Sequence, residues 1–421
     1  MARGDRYDIV WFWKQNDSGL YGRRQDMWIR HLAASPRVRR IVHFDRPLTP
    51  GELFADVRLE RHPLRRHANL VLLQTLPRLV SWPLGRKVSR HSYLYARDAP
   101  APRRRLLARV RGAQRHHVYV RRVLERCGVG GERTVFWVYP RFLAFPELVA
   151  RFQPPLVVAD CLDDQRAWPG ASQRHVARTD ANYREVLAGA DLVLTNCEGM
   201  RAALAEHRSD VRVLPSGWEL AGRARACPAE LRALPRPILG YAGSLSARLD
   251  VELLERLATR HPEWSLVLIG SAHGGSDVSR IAALPNVHRL GVRRYPRVRD
   301  YVRHFDVALL PHRDDALTRS MAPLKLGVYC SEGVPVVSTR VANLGPLEGV
   351  IDVAANAEEF LALVERALAS PEAPERRARR LRILAAGTWE RRTEELLALL
   401  DAAWERRALG PRAQREASDR A

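Results

Sequence analysis

Short apolar runs rich in β-branched residues alternate along this chain with segments of helical period. That alternation restricts the fold to α/β units built on parallel sheets. In the first half the runs fall at residues 8–13, 38–44, 70–74, 134–139, 156–159, 192–195 and 211–214, and helices are expected over 24–34, 103–127, 172–188 and 198–207. The stretch 215–237 breaks the pattern with Gly217, Gly222, Pro228, Pro235 and Pro237, as a linker does. A second series of strands follows at 238–244, 265–270, 287–290, 307–311, 334–338 and 350–353, with helices starting near Asp250, Asp277, Pro296 and Pro323 and closing helices at 357–369 and 387–406. A chain of 421 residues exceeds one ordinary core. The expected plan is a domain over 1–215, a linker over 216–236, a second domain over 237–385, a helix over 386–407 packing back on the first domain, and a disordered polar tail over 408–421.

The stretch 306–339 carries the most chemistry. Two apolar strand-like runs flank Ser320-Met-Ala-Pro-Leu-Lys-Leu-Gly-Val-Tyr-Cys330. Pro323 marks a helix start, where proline's fixed φ and missing N–H cost nothing. Lys325 falls in the first turn, and an ammonium beside a helix N-terminus suits a diphosphate. In open α/β sheets such a ligand sits at the carboxyl edge of the strands. Among 69 basic residues lysine occurs only at Lys14, Lys87 and Lys325, so a compact point charge is kept where arginine otherwise prevails. The alternative is a solvated helix lysine.

The formal net charge of +22 implies an anionic partner: nucleic acid, an acidic membrane face or acidic substrates. Arginine use of this kind also follows from GC-rich coding. Five cysteines (Cys127, Cys161, Cys197, Cys227, Cys330) are scattered and form no C-x-x-C pair, which excludes a disulfide framework or a zinc site and fits a reducing cytosol. No apolar run reaches transmembrane length, and the N-terminus lacks the pattern of a signal peptide.

Gly240-Tyr-Ala-Gly-Ser-Leu-Ser-Ala-Arg-Leu-Asp250, Leu284-Pro-Asn-Val-His-Arg-Leu-Gly291, 295–301, 306–311, Pro323-Leu-Lys-Leu and Gly333-Val-Pro-Val-Val-Ser-Thr339 resemble, in order and spacing, the GT-B glycosyltransferases of the bacterial group 4 (group 1) type. Ala190-Asp-Leu-Val-Leu-Thr195 and Val213-Leu-Pro-Ser-Gly217 resemble the segments that end that family's N-terminal domain. The resemblance covers 180–345 and is vague over 50–150. It implies a GT-B fold: two Rossmann-like, doubly wound parallel-sheet domains facing across a cleft. It also implies a nucleotide-sugar donor (UDP-, GDP- or dTDP-linked) on the C-terminal domain and a glycan or lipid-linked acceptor on the N-terminal one, with no other cofactor. By resemblance, Lys325, with Pro323 and Leu324, meets the donor diphosphate. Arg248 gives a second phosphate contact, the Gly243-Ser244 turn lets the backbone approach, and Arg293 and Tyr295 fall where the nucleobase is held. Gly19 and Gly22 resemble the family's glycine-containing loop near the phosphates. The sequence departs from the family at two acids. Val328 stands where a glutamate binds ribose hydroxyls, and Ser320 where retaining members have another. Glu332, one turn after Val328, either substitutes for the first or is a surface charge.

Metal-free glycosyl transfer needs cations to stabilise the departing diphosphate and, in an inverting enzyme, a base near the acceptor hydroxyl. Asp160, Asp163 and Asp164 run off a strand end into a loop aimed at the expected cleft. Each is a candidate base or a helix cap, and Asp17 is a further candidate base. No H-x-x-x-H or H-E-x-x-H spacing marks a metal site, and no G-x-G-x-x-G marks a dinucleotide site.

Segment 103–127 combines arginines with Leu106, Leu107, Val110, Val118, Val123 and Leu124 at helical spacing. It fits either a basic amphipathic helix lying on an anionic leaflet or a domain helix with its stripe on the core. The first would make the protein a cytoplasmic enzyme peripheral to the inner face of the plasma membrane, acting in cell-envelope polysaccharide biosynthesis. Charge alone suggests nucleic acid, but no recognition motif accompanies it. A catalytically impaired nucleotide-sugar-binding protein and a nucleotide-sugar epimerase are the remaining alternatives.

Overall fold

The computed structural model describes residues 6–13, 19–47, 87–93, 116–140, 145–223, 225–272 and 277–418. Its first sheet is formed by β1 (Tyr7–Phe12), β2 (Val38–Phe44), β3 (Val88–His91), β4 (Thr134–Val138), β5 (Leu156–Cys161), β6 (Leu192–Thr195) and β7 (Arg212–Val213). Helices α1 (Arg24–Ala34), α2 (His116–Arg126), α3 (Phe145–Phe152), α4 (Gln173–Ala188) and α5 (Glu198–Leu204) connect them, and α6 (Ala229–Arg232) lies in the stretch read as a linker. The second sheet contains β8 (Ile238–Ala242), β9 (Ser265–Ile269), β10 (Val287–Gly291), β11 (Val307–Leu310), β12 (Val336–Thr339) and β13 (Asp352–Ala354). Its helices are α7 (Val251–Arg260), α8 (Tyr295–Val302), α9 (Ala316–Arg319), α10 (Leu324–Ser331), α11 (Ala357–Ala369), α12 (Pro374–Ala386) and α13 (Trp389–Ser418).

Strand order is β3-β2-β1-β4-β5-β6-β7 in one sheet and β10-β9-β8-β11-β12-β13 in the other, and neighbouring strands pair in parallel. Both orders reverse beside the first strand of the sheet, between β1 and β4 and between β8 and β11. Such a reversal opens a crevice at the carboxyl ends. Period-two alternation feeds both faces of each sheet. Val10 and Phe12 enter one core cluster of the first sheet, while Tyr7, Ile9 and Trp11 enter the other.

The last helix closes the second of those clusters. Trp389, Leu396, Leu397 and Leu400 of α13 pack with Tyr7 and Trp28, and the Trp28 and Trp389 rings lie 5.0 Å apart. Burying one tryptophan removes about 200 Å² from water, worth at most ~5 kcal/mol. The ion pair of Arg37 with Asp401 at the rim adds roughly 0–1 kcal/mol. Burial therefore holds α13 on the N-terminal sheet.

Several expectations need correction. The helix expected near Asp277 is a series of turns, and β3, α3, α9 and α12 were not anticipated. The backbone of α13 continues through 408–418, expected to be disordered, and crosses Gly410 and Pro411, against their helix propensity. The run 70–74 and residues 103–115 lie outside the described residues. In α2, Val120, Val123 and Leu124 are buried in the N-terminal core. The described part of that apolar stripe thus faces the core instead of a leaflet and leaves Arg121 and Arg122 outside. Among the described residues no helix is long and apolar enough to cross a membrane.

Candidate active site

A cavity of about 340 Å³ lies between the two sheets' carboxyl edges. Its wall draws on the N-terminal domain through Trp13, Gly22, Arg23, Arg24, Gln25, Asp163 and Asn196. Across from these stand Gly243, Ser244, Arg248, Arg293, Tyr295, His312, Pro323, Leu324, Lys325 and Val328 of the C-terminal domain. Three hydrogen bonds donated by backbone N–H groups join the halves beside it. Tyr295 N donates to Leu20 O at 3.1 Å, Asp164 N to Ser320 Oγ at 2.8 Å, and Gly199 N to Asn343 Oδ1 at 3.3 Å.

Pro323 occupies the N-cap position of α10 without a side-chain cap, and the helix start and Lys325 both line the cavity. Lys325 Nζ donates to Tyr241 Oη at 2.5 Å, meets His312 Nε2 at 3.2 Å, and lies 4.1 Å from the Tyr241 ring centroid. Tyr241 in turn donates to Ser244 O at 3.0 Å. Burial, then the charges of Lys325 and Arg248, push the His312 imidazole well below its ordinary pKa, so it is a neutral acceptor. Burial and the nearby Arg248 likewise lower the Lys325 ammonium well below its ordinary value. Lys325 and Arg248 thus bring positive charge together at one cavity, where an anion would favour the Lys325 ammonium. The Arg248 guanidinium meets Ser246 Oγ at 3.1 Å and Met321 Sδ at 3.5 Å and lies over the Trp168 ring, none of them an anion. An ammonium with three donors, two already directed to protein, keeps one for a ligand. An entering anion would satisfy both cations and the free N–H groups of the helix start.

Two glycines are needed here. Gly243 has φ +156°, and a Cβ there would lie 2.7 Å from Lys325 Cε and Nζ. Gly22 has φ +62°, and its Cβ would lie 2.3 Å from the Tyr295 ring, so this glycine sets how closely the two domains meet.

The three aspartates separate. Asp160 is buried and paired with the buried Arg24 at 3.2 Å; desolvation raises its pKa against that pairing. Asp164 accepts from Arg166 N at 3.0 Å, capping the turn Gln165–Ala167, and pairs with the Arg166 guanidinium. Neither lines the cavity. Asp163 does, from a left-handed position with φ +54°, and among the described residues its carboxylate has no hydrogen bond or ion pair. Asp17 lies outside the described residues.

Other expected site residues fall elsewhere. Glu332 ends α10 with a side chain only 1% exposed, held by Arg299 at 2.5 Å and Arg303 at 2.6 Å, so it is neither a surface charge nor in the cavity. The three side chains share one buried cluster because α8 packs beside α10. Ser320 is buried, donates to Leu317 O at 2.8 Å and accepts from Asp164 N, joining the domains instead of lining the cavity. Gly19 packs on Arg90 and donates to Asp26 Oδ1 at 2.5 Å. Arg293 lines the cavity, but its guanidinium reaches Glu230 at 3.2 Å and Leu290 O at 2.5 Å. His312, Arg24, Gln25 and Asn196 were missed. Only His312 left a local signal, following the strand run that ends at Pro311.

Residues 236–370 match the family described as Glycosyl transferases group 1. The Bacillus subtilis (strain 168) protein TuaH, assigned as a teichuronic acid biosynthesis glycosyltransferase, is 23% identical over 243 residues, covering 53% of this chain; the chain spans 60% of that relative's length. Sucrose-phosphate synthase from Thermosynechococcus elongatus superposes with a TM-score of 0.65 at 16% identity, covering 95% of this chain and 100% of that one. Anabaena HepE in complex with UDP-glucose gives 0.61 at 12% identity, covering 94% and 99%. With both sheets parallel, the crevices facing each other and residues 236–370 matched, the chain has a GT-B fold whose C-terminal domain is of the group 1 glycosyltransferase type.

Proposed function

We propose that the chain transfers a sugar from a nucleotide diphosphate sugar to a glycan or lipid-linked acceptor of the cell envelope. One observation carries this reading: Lys325, Arg248 and the start of α10 converge on one interdomain cavity, and among the described residues no carboxylate pairs with either side chain. Positive charge held where the diphosphate's charge grows lowers the barrier more than it stabilises the bound substrate. Because Lys325 and Arg248 supply that charge, transfer proceeds without a metal, and turnover should survive chelation by EDTA. Asp163 is the base that takes the acceptor hydroxyl's proton. The acceptor class draws on TuaH, a protein named for teichuronic acid biosynthesis. The reaction belongs on the cytoplasmic side, and the net charge of +22 would draw the protein to an anionic leaflet. Equal sedimentation with anionic and neutral vesicles would remove that last element.

The direct test is thermal unfolding of the purified protein with UDP-, GDP- and dTDP-sugars, followed by an assay for nucleoside diphosphate release. A ligand at 100 times its Kd stabilises by about 2.7 kcal/mol. One nucleotide family should raise Tm in the wild type and not in Lys325→Ala. No response from any of them would end the proposal. A second reading, binding without catalysis, is favoured by Val328 in the cavity wall and by Ser320 being tied to Asp164. Diphosphate release by the wild type would exclude it.

A further inference from the structure

The wall opposite Lys325 contains polar atoms that the protein leaves unanswered. Gln25 is 1% exposed and lines the cavity, yet among the described residues neither its Oε1 nor its Nε2 has a hydrogen-bond partner. Buried Asn196, also in the wall, leaves its Oδ1 unmatched. Arg24 directs Nε to Asp160 and Nη1 to Ser216, and among the described residues its Nη2 has no partner. Buried polar atoms of this kind are costly and rare in folded proteins, so a group of them on one cavity wall needs an explanation.

The chemistry of the set selects its ligand. Gln25 offers donors and an acceptor, Asn196 an acceptor, and Arg24 a donor whose charge is already matched by Asp160. An anion would leave the two carbonyl oxygens unpaired. An apolar group would leave all of these atoms unpaired. Neutral hydroxyls, which both donate and accept, satisfy them. Trp13 and Trp168 line the same cavity and provide flat apolar faces for the ring that bears those hydroxyls.

We propose that Gln25, Asn196 and Arg24 form the subsite that binds the hydroxyls of an uncharged sugar ring, across the cavity from Lys325. The inference rests on the nucleotide-sugar reading of the cavity and names the residues that hold the sugar. The ring belongs either to the donor or to the acceptor, and the experiment separates the two.

The test compares wild type with Gln25→Met, which keeps the side-chain length and removes the hydrogen bonds. Ligand-free Gln25→Met should melt higher than wild type, because an unpaired buried carboxamide is gone. Calorimetry would then use whichever of UDP, GDP and dTDP binds, its glucose conjugate, and glucose or N-acetylglucosamine added to the diphosphate-loaded protein. Affinity for the bare diphosphate should not change. A loss of about 10- to 100-fold for the conjugate alone identifies the donor's ring, and the same loss for the free sugar alone the acceptor's. The proposal is overturned if the variant binds every sugar as wild type does, or if it melts lower without ligand. If wild type binds none of the diphosphates, the nucleotide-sugar reading fails by itself, and the melting comparison decides whether Gln25 is held in place by the protein.

Discussion

Replacing Lys325 with methionine tests the central electrostatic argument, because methionine keeps most of the side chain's length and removes the charge. In the free protein that ammonium is disfavoured by burial and by Arg248, so its folded-state pKa is lowered. Between that lowered value and the ordinary ~10.4, the unfolded chain holds a proton that the folded chain has lost. Free wild-type protein should therefore gain stability as pH rises through this window, and Lys325→Met should lose that slope. A bound diphosphate has the opposite preference and favours the ammonium. Binding should take up a proton, and affinity should fall as pH rises from the lowered value of the free protein toward the ordinary one. Removing one member of a buried charge pair costs 2–5 kcal/mol, and this partly open cavity calls for the lower end, about 2–3 kcal/mol, or roughly 30- to 150-fold in Kd. Calorimetry in two buffers of different ionisation enthalpy measures the affinity and the proton count together. A Lys325→Met protein that binds the diphosphate as wild type does, with no proton uptake in either, would refute the reasoning.

Asp163→Asn should lower kcat by about 10²- to 10⁴-fold with donor affinity kept; asparagine tolerates the left-handed backbone at this position, so an unchanged Tm alongside unchanged kcat would dismiss Asp163 as base. Gly243→Ala places a Cβ 2.7 Å from Lys325 Nζ at a φ of +156°, and should cost about 1–3 kcal/mol in denaturant melts while abolishing the diphosphate response. Ser320→Ala strands the buried Asp164 N–H at the domain junction, a loss of about 1–3 kcal/mol to the closed arrangement, visible as an increased radius of gyration in solution scattering. Val328→Glu introduces a carboxylate one turn after Lys325 and should make binding favour UDP over 2′-deoxy-UDP, a preference the wild type should lack.

Local pattern carried much of the fold into view. Strand period, proline and glycine punctuation, and the Asp, Asn and Ser caps of Asp250, Asn356 and Ser172 depend on neighbours within a few residues. The boundaries of α1 and α11 could accordingly be read directly. Lys325 was legible for the same reason: a helix start after a strand puts its first turn at the sheet's carboxyl edge whatever else the chain does. Partner choice was not legible. Asp160, Asp163 and Asp164 look alike in sequence, but Arg24 from α1 neutralises the buried Asp160, Arg166 two residues on neutralises Asp164, and Asp163 lines the cavity.

The amino-acid sequence by itself determined two parallel α/β domains and an ammonium at the start of α10, since backbone preference and side-chain period are properties of short segments. Tertiary structure decided which groups the ammonium meets, why Glu332 is locked between Arg299 and Arg303, and that Gln25 and Asn196 face a cavity wall with polar atoms unmatched. Those outcomes depend on which distant surfaces exclude water from one another, and no local pattern encodes that.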